Sequence, residues 1–329
     1  VKLIVDKGSG RMDNNLGEAA KIAIRQCMAE KKNENVLIIV DQANCRIGQS
    51  LFNEARKVGA EVVLMEMTPR LNDGNEPPLL VAEAMKSADV ILIPTSKSLS
   101  HTSARMEASE KGARIATLPG ITAEMMVRTL CADYKNIAKL SQKIANILDK
   151  GKIAHLTTPA GTDLTMNIEG RIAEADTGLN DFTGAFSNLP AGEAYVSPKE
   201  GTSQGTLVID GAMGGIGVLT EPIKMTVKNG LVTNIFGNEQ AEKLQKLLSA
   251  HGKDAFNIAE LGVGTNDKAI ITGKILEDEK VLGTVHVALG NNIGFGGNVS
   301  VPIHLDGILM NPTLKVDGKI IIKDGMQLL

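Results

Sequence analysis

Residues 35–40 read NVLIIV, five apolar residues in a row, bounded by the polar stretch KKNE before and Asp41 after. A strand covered on both faces has no polar side to show, so it reads as a continuous aliphatic run rather than an alternating one. EVVLMEM (61–67), DVILIP (89–94) and RIATLP (114–119) repeat that pattern, with helical stretches between them. Upstream, NNLGEAAKIAIRQCMAE (14–30) places Leu16, Ala20, Ala23, Ile24 and Cys27 at helical spacing. Gly59, Gly112 and Gly151 each stand just before a strand, where a residue able to take the left-handed conformation ends a helix. Strands alternating with helices predict a parallel, doubly wound sheet. AEMMVRTLCADYKNIAKLSQKIANIL (123–148) carries Val127, Leu130, Ile137, Leu140, Ile144 and Leu148 on one stripe, which predicts a long amphipathic helix closing the first domain.

From Lys152 onward the period switches to two. KMTVKNGLVTNIFG predicts a hairpin around Asn229-Gly230 and TLKVDGKIIIKDG another around Asp317-Gly318. GTLVIDGAM and TVHVALG read as further strands, and NEQAEKLQKLLSAHG (238–252) as one helix among them. The expected architecture is therefore α/β, with a doubly wound parallel-sheet domain at 1–151. A mostly antiparallel, β-rich α+β domain follows at 152–329.

Composition narrows the function. Of 329 residues 43% are hydrophobic and 22% charged, and the net charge is −3 with no basic block. That argues against nucleic acid or an anionic membrane as partner. Aromatic residues make up 2% of the chain, so base-stacking platforms are not expected. Cys27, Cys45 and Cys131 are widely spaced and form no CxxC, which fits a reducing cytoplasm better than a disulfide framework. No apolar run approaches bilayer length, and VKLIVDKGSGR has too short an apolar stretch for a signal peptide.

Most candidate motifs have an ordinary explanation. DKGSGR (6–11) fits neither a Walker A loop nor a GxGxxG turn after a strand. Cys45 follows a strand but has no assignable histidine partner. His101 and His251 read as surface residues, and His155 as a hydrogen-bonded strand histidine. The second half differs. In VPIHLDGIL (301–309), His304 and Asp306 point the same way from an apolar strand, and His286 shares a face with Thr284 and Ala288. Glu260 lies in the apolar stretch NIAELGVGTN, and Glu193 lies between a proline turn and a strand. Burying such groups costs several kcal/mol each, roughly, unless they are paired or bind a metal. Two imidazoles with several carboxylates suit a divalent cation such as Zn, Co, Mn or Fe.

The stretches VGAEVVLMEM, PAGTDLTMNIEGR, SNLPAGEAYVSPKEGTSQGTLV, VHVALG and IHLDGIL, in that order, resemble metallo-aminopeptidases of the aminopeptidase T type. The resemblance implies a cytoplasmic, homodimeric hydrolase that cleaves the first residue from a peptide with a free N-terminus. It also implies two divalent ions, Zn, Co or Mn, in the β-rich domain. Its ligands carry over as Glu193, Glu260, His286, His304 and Asp306, with Glu193 or Glu260 also serving the catalytic step. One position departs: Ile293 stands where that family has a tyrosine seven residues after its first histidine. A rival reading is a ring-cleaving dihydroxypyridine dioxygenase holding one Fe(II) on His286, His304 and Asp306. A third is an altered, non-catalytic member binding a small ligand.

Overall fold

The computed structural model of the chain describes residues 7–329, with side chains from Asn14 onward. Asp6 of DKGSGR and the first residues of VKLIVDKGSGR, read above against a signal peptide, lie outside the described residues; the remainder of DKGSGR opens the helix Lys7–Ile22. The fold is mixed α/β, with one parallel sheet and two antiparallel ones. Two compact units form: residues 1–134 with 178–191, and residues 135–177 with 192–329.

In the first unit five parallel strands run in the order Glu61–Glu66, Asn35–Val40, Val90–Ile93, Arg114–Thr117 and Phe186–Asn188. The three middle strands are buried almost throughout, as their aliphatic runs require. Glu61–Glu66, grouped with them by sequence, is instead the edge strand and half-exposed, which accommodates a Glu at each end. Phe186–Asn188 returns from the second half of the chain to extend this sheet. Gly59 and Gly112 take positive φ as expected (96° and 102°), whereas Gly151 does not. Gly151 is needed for space: a Cβ there would fall on Val316 Cγ1.

The long helix expected over 123–148 is two, Ala123–Leu130 and Tyr134–Lys150, broken at Cys131–Asp133 where the chain leaves the first unit for the second. The helical stripe reads straight through the break because each half buries its own apolar face. Thr122 caps the first helix by accepting from Met125 N.

The second unit contains an eight-stranded and a seven-stranded antiparallel sheet. Both expected hairpins form, with positive φ at Asn229, Gly230, Asp317 and Gly318. The seven-stranded sheet runs Gly217–Val218, Ala212–Met213, His304–Leu309, Val285–Gly290, Ile258–Gly264, Glu193–Val196 and Glu174–Asp176. One of its faces supplies Leu261, Val263, Val285, Val287, Leu289 and Leu309 to a core shared with Leu156, Leu207 and Ile209 of the eight-stranded sheet. The opposite face carries the polar residues. No helix among the described residues is long and apolar enough to cross a membrane.

Candidate metal centre

Antiparallel pairing puts directly opposed residues on the same face, and the register of four neighbouring strands assembles the site. Glu260 pairs with Ala288, and Ala288 with Asp306; Gly290 pairs with His304; Gly262 pairs with both His286 and Tyr195; and Gly264 pairs with Glu193. Large polar side chains thus alternate with glycine and alanine, so each has room over its neighbour. The apolar positions between them, the other half of the period, face the core. Gly262 shows how tight this is: a Cβ there would fall on the His286 imidazole.

All five residues expected from the sequence converge. Donor atoms of Glu260, His304 and Asp306 lie within 4.8 Å of one another, as do those of Glu193, Glu260 and His286. Glu260 joins the two trios, and neither trio holds both histidines. His304 Nε2 is 3.4 Å from Asp306 Oδ1 and 3.5 Å from Glu260 Oε2. Its Nδ1 meets Asn291 O at 2.8 Å, so Nδ1 carries the proton and Nε2 is turned to the carboxylates. His286 Nε2 is hydrogen-bonded to Glu260 Oε1 at 3.1 Å.

The charges are unbalanced in a revealing way. Burial alone would lower the pKa of His304, but Asp306 and Glu260 facing it push it up to about 10. His286 is raised too, against its own burial, by Glu193 and Glu260. Burial would raise Asp306, yet His304 holds it down to about 2. Glu260 is raised by its burial. The buried acids thus draw positive charge toward the two imidazoles. His286 Nδ1 is buried without a hydrogen bond, and Glu193 Oε2 has only His286 Nε2 beside it, at 3.2 Å; native sites match such buried polar atoms with an ion, water or substrate. A divalent cation fits this donor set, carboxylates and imidazole turned inward with the outer nitrogen of His304 already anchored.

Other groups at the site escaped the sequence reading. Lys280 is fully buried, with Nζ 2.5 Å from both Glu193 Oε1 and Glu279 Oε1 and 3.8 Å from Asp176 Oδ2. In EDEK (277–280) it reads as part of a solvated charge run. Glu279 is pushed up to about 8, chiefly by burial. Phe295 lies with its ring centroid 5.1 Å from that of His304 and 5.5 Å from that of Tyr195, edge-on to the latter. Ile293, at the position of the expected tyrosine, is exposed. Phe295 also lines a cavity of about 600 Å³ with Arg171, Glu174, Lys199, Glu200 and Asn298.

The remaining candidates are structural. His155 Nε2 pairs with Asp163 Oδ1 at 2.7 Å, and His101 and His251 lie at the surface. Cys45 opens the helix Cys45–Val58, and burial and nearby acids raise its thiol pKa, the reverse of an activated nucleophile.

The chain combines a parallel-sheet unit with a unit of antiparallel sheets that carries this cluster of carboxylates and imidazoles on a small-residue face, and solved proteins share that fold. The structure of AmpT from Thermus thermophilus superposes with a TM-score of 0.72, at 16% identity, over 96% of this chain and 99% of that one. The structure of 2,5-dihydroxypyridine dioxygenase from Pseudomonas putida KT2440 superposes with a TM-score of 0.83, at 20% identity, over 96% and 97%. By sequence, the 2,5-dihydroxypyridine 5,6-dioxygenase of Pseudomonas putida KT2440 is 24% identical over 262 residues, 75% of this chain and 73% of that protein.

The family model for 2,5-dihydroxypyridine 5,6-dioxygenase (NicX) matches residues 16–328, and the chain belongs to that family. The expectation of an aminopeptidase T-type hydrolase acting on a peptide N-terminus is thereby corrected. The quoted stretches belong to a scaffold that both kinds of protein share, so their resemblance reported fold rather than reaction.

Proposed function

We propose that the chain is a metal-dependent ring-opening dioxygenase acting on a dihydroxypyridine or a closely similar hydroxylated aromatic ring. The observation that carries this reading is the convergence of Glu260, His304 and Asp306 beside Phe295, in a chain of this family. The metal would be a single Fe(II), held by Glu260, His304 and Asp306. This replaces the trio His286, His304 and Asp306 expected for the dioxygenase reading, because His286 turns its Nε2 toward Glu260 and Glu193. Bound there, Fe(II) would supply the redox chemistry that lets molecular oxygen react with an electron-rich ring.

The chain's own residues do the rest. Asn291 O fixes the His304 ring, so its Nε2 is presented without reorganisation. Phe295 offers a planar wall, and offset or edge stacking of a flat ring on it contributes about 0.5–1.5 kcal/mol beyond burial. Tyr195 holds the edge of Phe295 and is itself tied to Glu174 Oε2 by a 2.9 Å hydrogen bond. Glu193 Oε2, a buried carboxylate oxygen 3.2 Å from His286 Nε2, is the acceptor that would orient a ring hydroxyl. Burial opposes its ionisation, but Lys280 and His286 keep its pKa low, so the acceptor stays available at neutral pH.

The test is reconstitution with Fe(II) under anaerobic conditions, followed by addition of oxygen and 2,5-dihydroxypyridine. Oxygen uptake should match loss of the ring absorption, and His304→Ala and Asp306→Ala should lose both iron and turnover. Iron-loaded protein that consumes neither oxygen nor a hydroxylated pyridine contradicts the proposal.

A further inference from the structure

We infer that Lys280 is a built-in cation that fills the Glu193 half of the cluster, so that the site takes one divalent ion only, at Glu260, His304 and Asp306. The inference rests on the reading of that trio as the metal site. It starts from where the two trios differ: Glu193 Oε1 already has a cation 2.5 Å away, whereas none of the atoms of the second trio touches Lys280.

Lys280 is not a surface lysine that could swing aside. Its side chain has no exposed area, and its ammonium is enclosed by Glu193, Glu279 and Asp176. Its backbone is pinned on both sides: Lys280 N donates to Glu277 O, and Asn266 N donates to Lys280 O at 2.8 Å. The turn that delivers it is held by two buried acids. Glu277 Oε1 accepts from Ile270 N, and Asp278 accepts from the amides of Thr272 and Gly273. A rigid loop therefore places one positive charge against Glu193.

A divalent ion bound to Glu193 would have to share that carboxylate with an ammonium that has no water to retreat into. The two cations repel where solvent cannot screen them, and moving Nζ away would strip a buried charge of its main partner. The tether makes the competition one-sided, because the lysine cannot diffuse off and a free ion can. Glu260 can serve one ion through Oε2, on the His304 side, while its Oε1 remains hydrogen-bonded to His286.

The experiment is the metal count of the full chain, using Co(II) as a redox-stable probe and equilibrium dialysis with elemental analysis. Wild-type protein should bind one Co(II) per chain. Glu193→Gln should still bind one, and Lys280→Met should bind two. Two ions in the wild type, loss of the single ion in Glu193→Gln, or a count of one in a folded Lys280→Met would each overturn the inference. If Lys280→Met fails to fold, Glu193→Gln still decides, since a second site built on Glu193 would drop from two ions to one. A wild type that binds no Co(II) overturns both the metal site and the role of Lys280. One Co(II) per chain with no ring opening by iron-loaded protein sinks the dioxygenase reading alone and leaves the assignment of Lys280 standing.

Discussion

Replacing Gly262 by alanine adds one methyl group directly over the His286 imidazole. An ideal Cβ at Gly262 would sit 2.7 Å from His286 Cδ2 and closer still to Nε2 and Cε1. That is 0.7 Å short of an ordinary 3.4 Å contact at Cδ2 and shorter by more at the other two atoms. The backbone there is not left-handed, so alanine brings no conformational strain of its own. In a strand free of the clash, alanine should stabilise relative to glycine by about 0.5–1 kcal/mol. Here the ring, packed and fully buried, has to move, and overpacking of this kind costs about 1–3 kcal/mol. A displacement near 1 Å also breaks the His286–Glu260 hydrogen bond, and misplacement on that scale lowers turnover on the order of 100-fold. The assay is thermal melting with steady-state turnover for Gly262→Ala, His286→Ala and the double variant. Gly262→Ala should melt lower and turn over slowly, and the melting loss should vanish or reverse in the His286→Ala background. An alanine variant with wild-type turnover, or the same loss without the imidazole, would refute the packing argument.

Glu30 gives a pH signature far from the site in sequence. Both its carboxylate oxygens are buried without a hydrogen bond, and burial, reinforced by Glu34, raises its pKa from 4.5 to about 7. The folded state therefore favours the protonated form, and the stability this group permits is complete below pH 4.5 and lost as pH rises through 7. A shift of that size corresponds to at most about 3 kcal/mol. Glu30→Gln should raise the melting temperature at pH 8 and leave it nearly unchanged at pH 4.5, so equal gains at both values would contradict the assignment. Phe295→Ala should raise KM for the ring substrate by roughly 2- to 10-fold through lost stacking, with Phe295→Tyr restoring it. A substrate KM indifferent to Phe295→Ala would remove that wall from the site. Fe(II) at about 100 times its dissociation constant should stabilise the fold by about 2.7 kcal/mol. A melting curve insensitive to metal and chelator would contradict binding to the folded cluster.

Much of this was legible in the sequence because its physics is local. A run such as NVLIIV is informative by itself, since continuous apolarity has few uses besides a strand covered on both faces. Asn229-Gly230 and Asp317-Gly318 gave up their hairpins for the same reason, needing only two residues that tolerate positive φ. The alternation in IHLDGIL likewise placed His304 and Asp306 on one face of their strand, and that in VHVALG placed His286 with Thr284 and Ala288, while the register that unites them came only with the fold. What stayed hidden depends on partners distant in the chain. The helix break at Cys131–Asp133 interrupts no hydrophobic period, so nothing local marks it. Phe186–Asn188 joins the parallel sheet from a stretch of turns, and three residues are too few to show a period. Lys280 looks solvated among Glu277, Asp278 and Glu279, and only the fold reveals that Glu193 lies opposite. Phe295, flanked by glycines, resembles a loop residue until His304 and Tyr195 are brought beside it. The reaction itself was misread because Glu193, Glu260, His286, His304 and Asp306 satisfy the ligand pattern of a peptidase on the same scaffold, and pattern alone does not name the substrate.

The most direct measurement is an anomalous difference map at the iron edge, from crystals grown anaerobically with excess Fe(II). The account predicts one peak per chain, bounded by Glu260, His304 Nε2 and Asp306, with Lys280 still on Glu193. An iron-free cluster in such crystals, or a peak coordinated by Glu193 and His286 in place of His304 and Asp306, would contradict it.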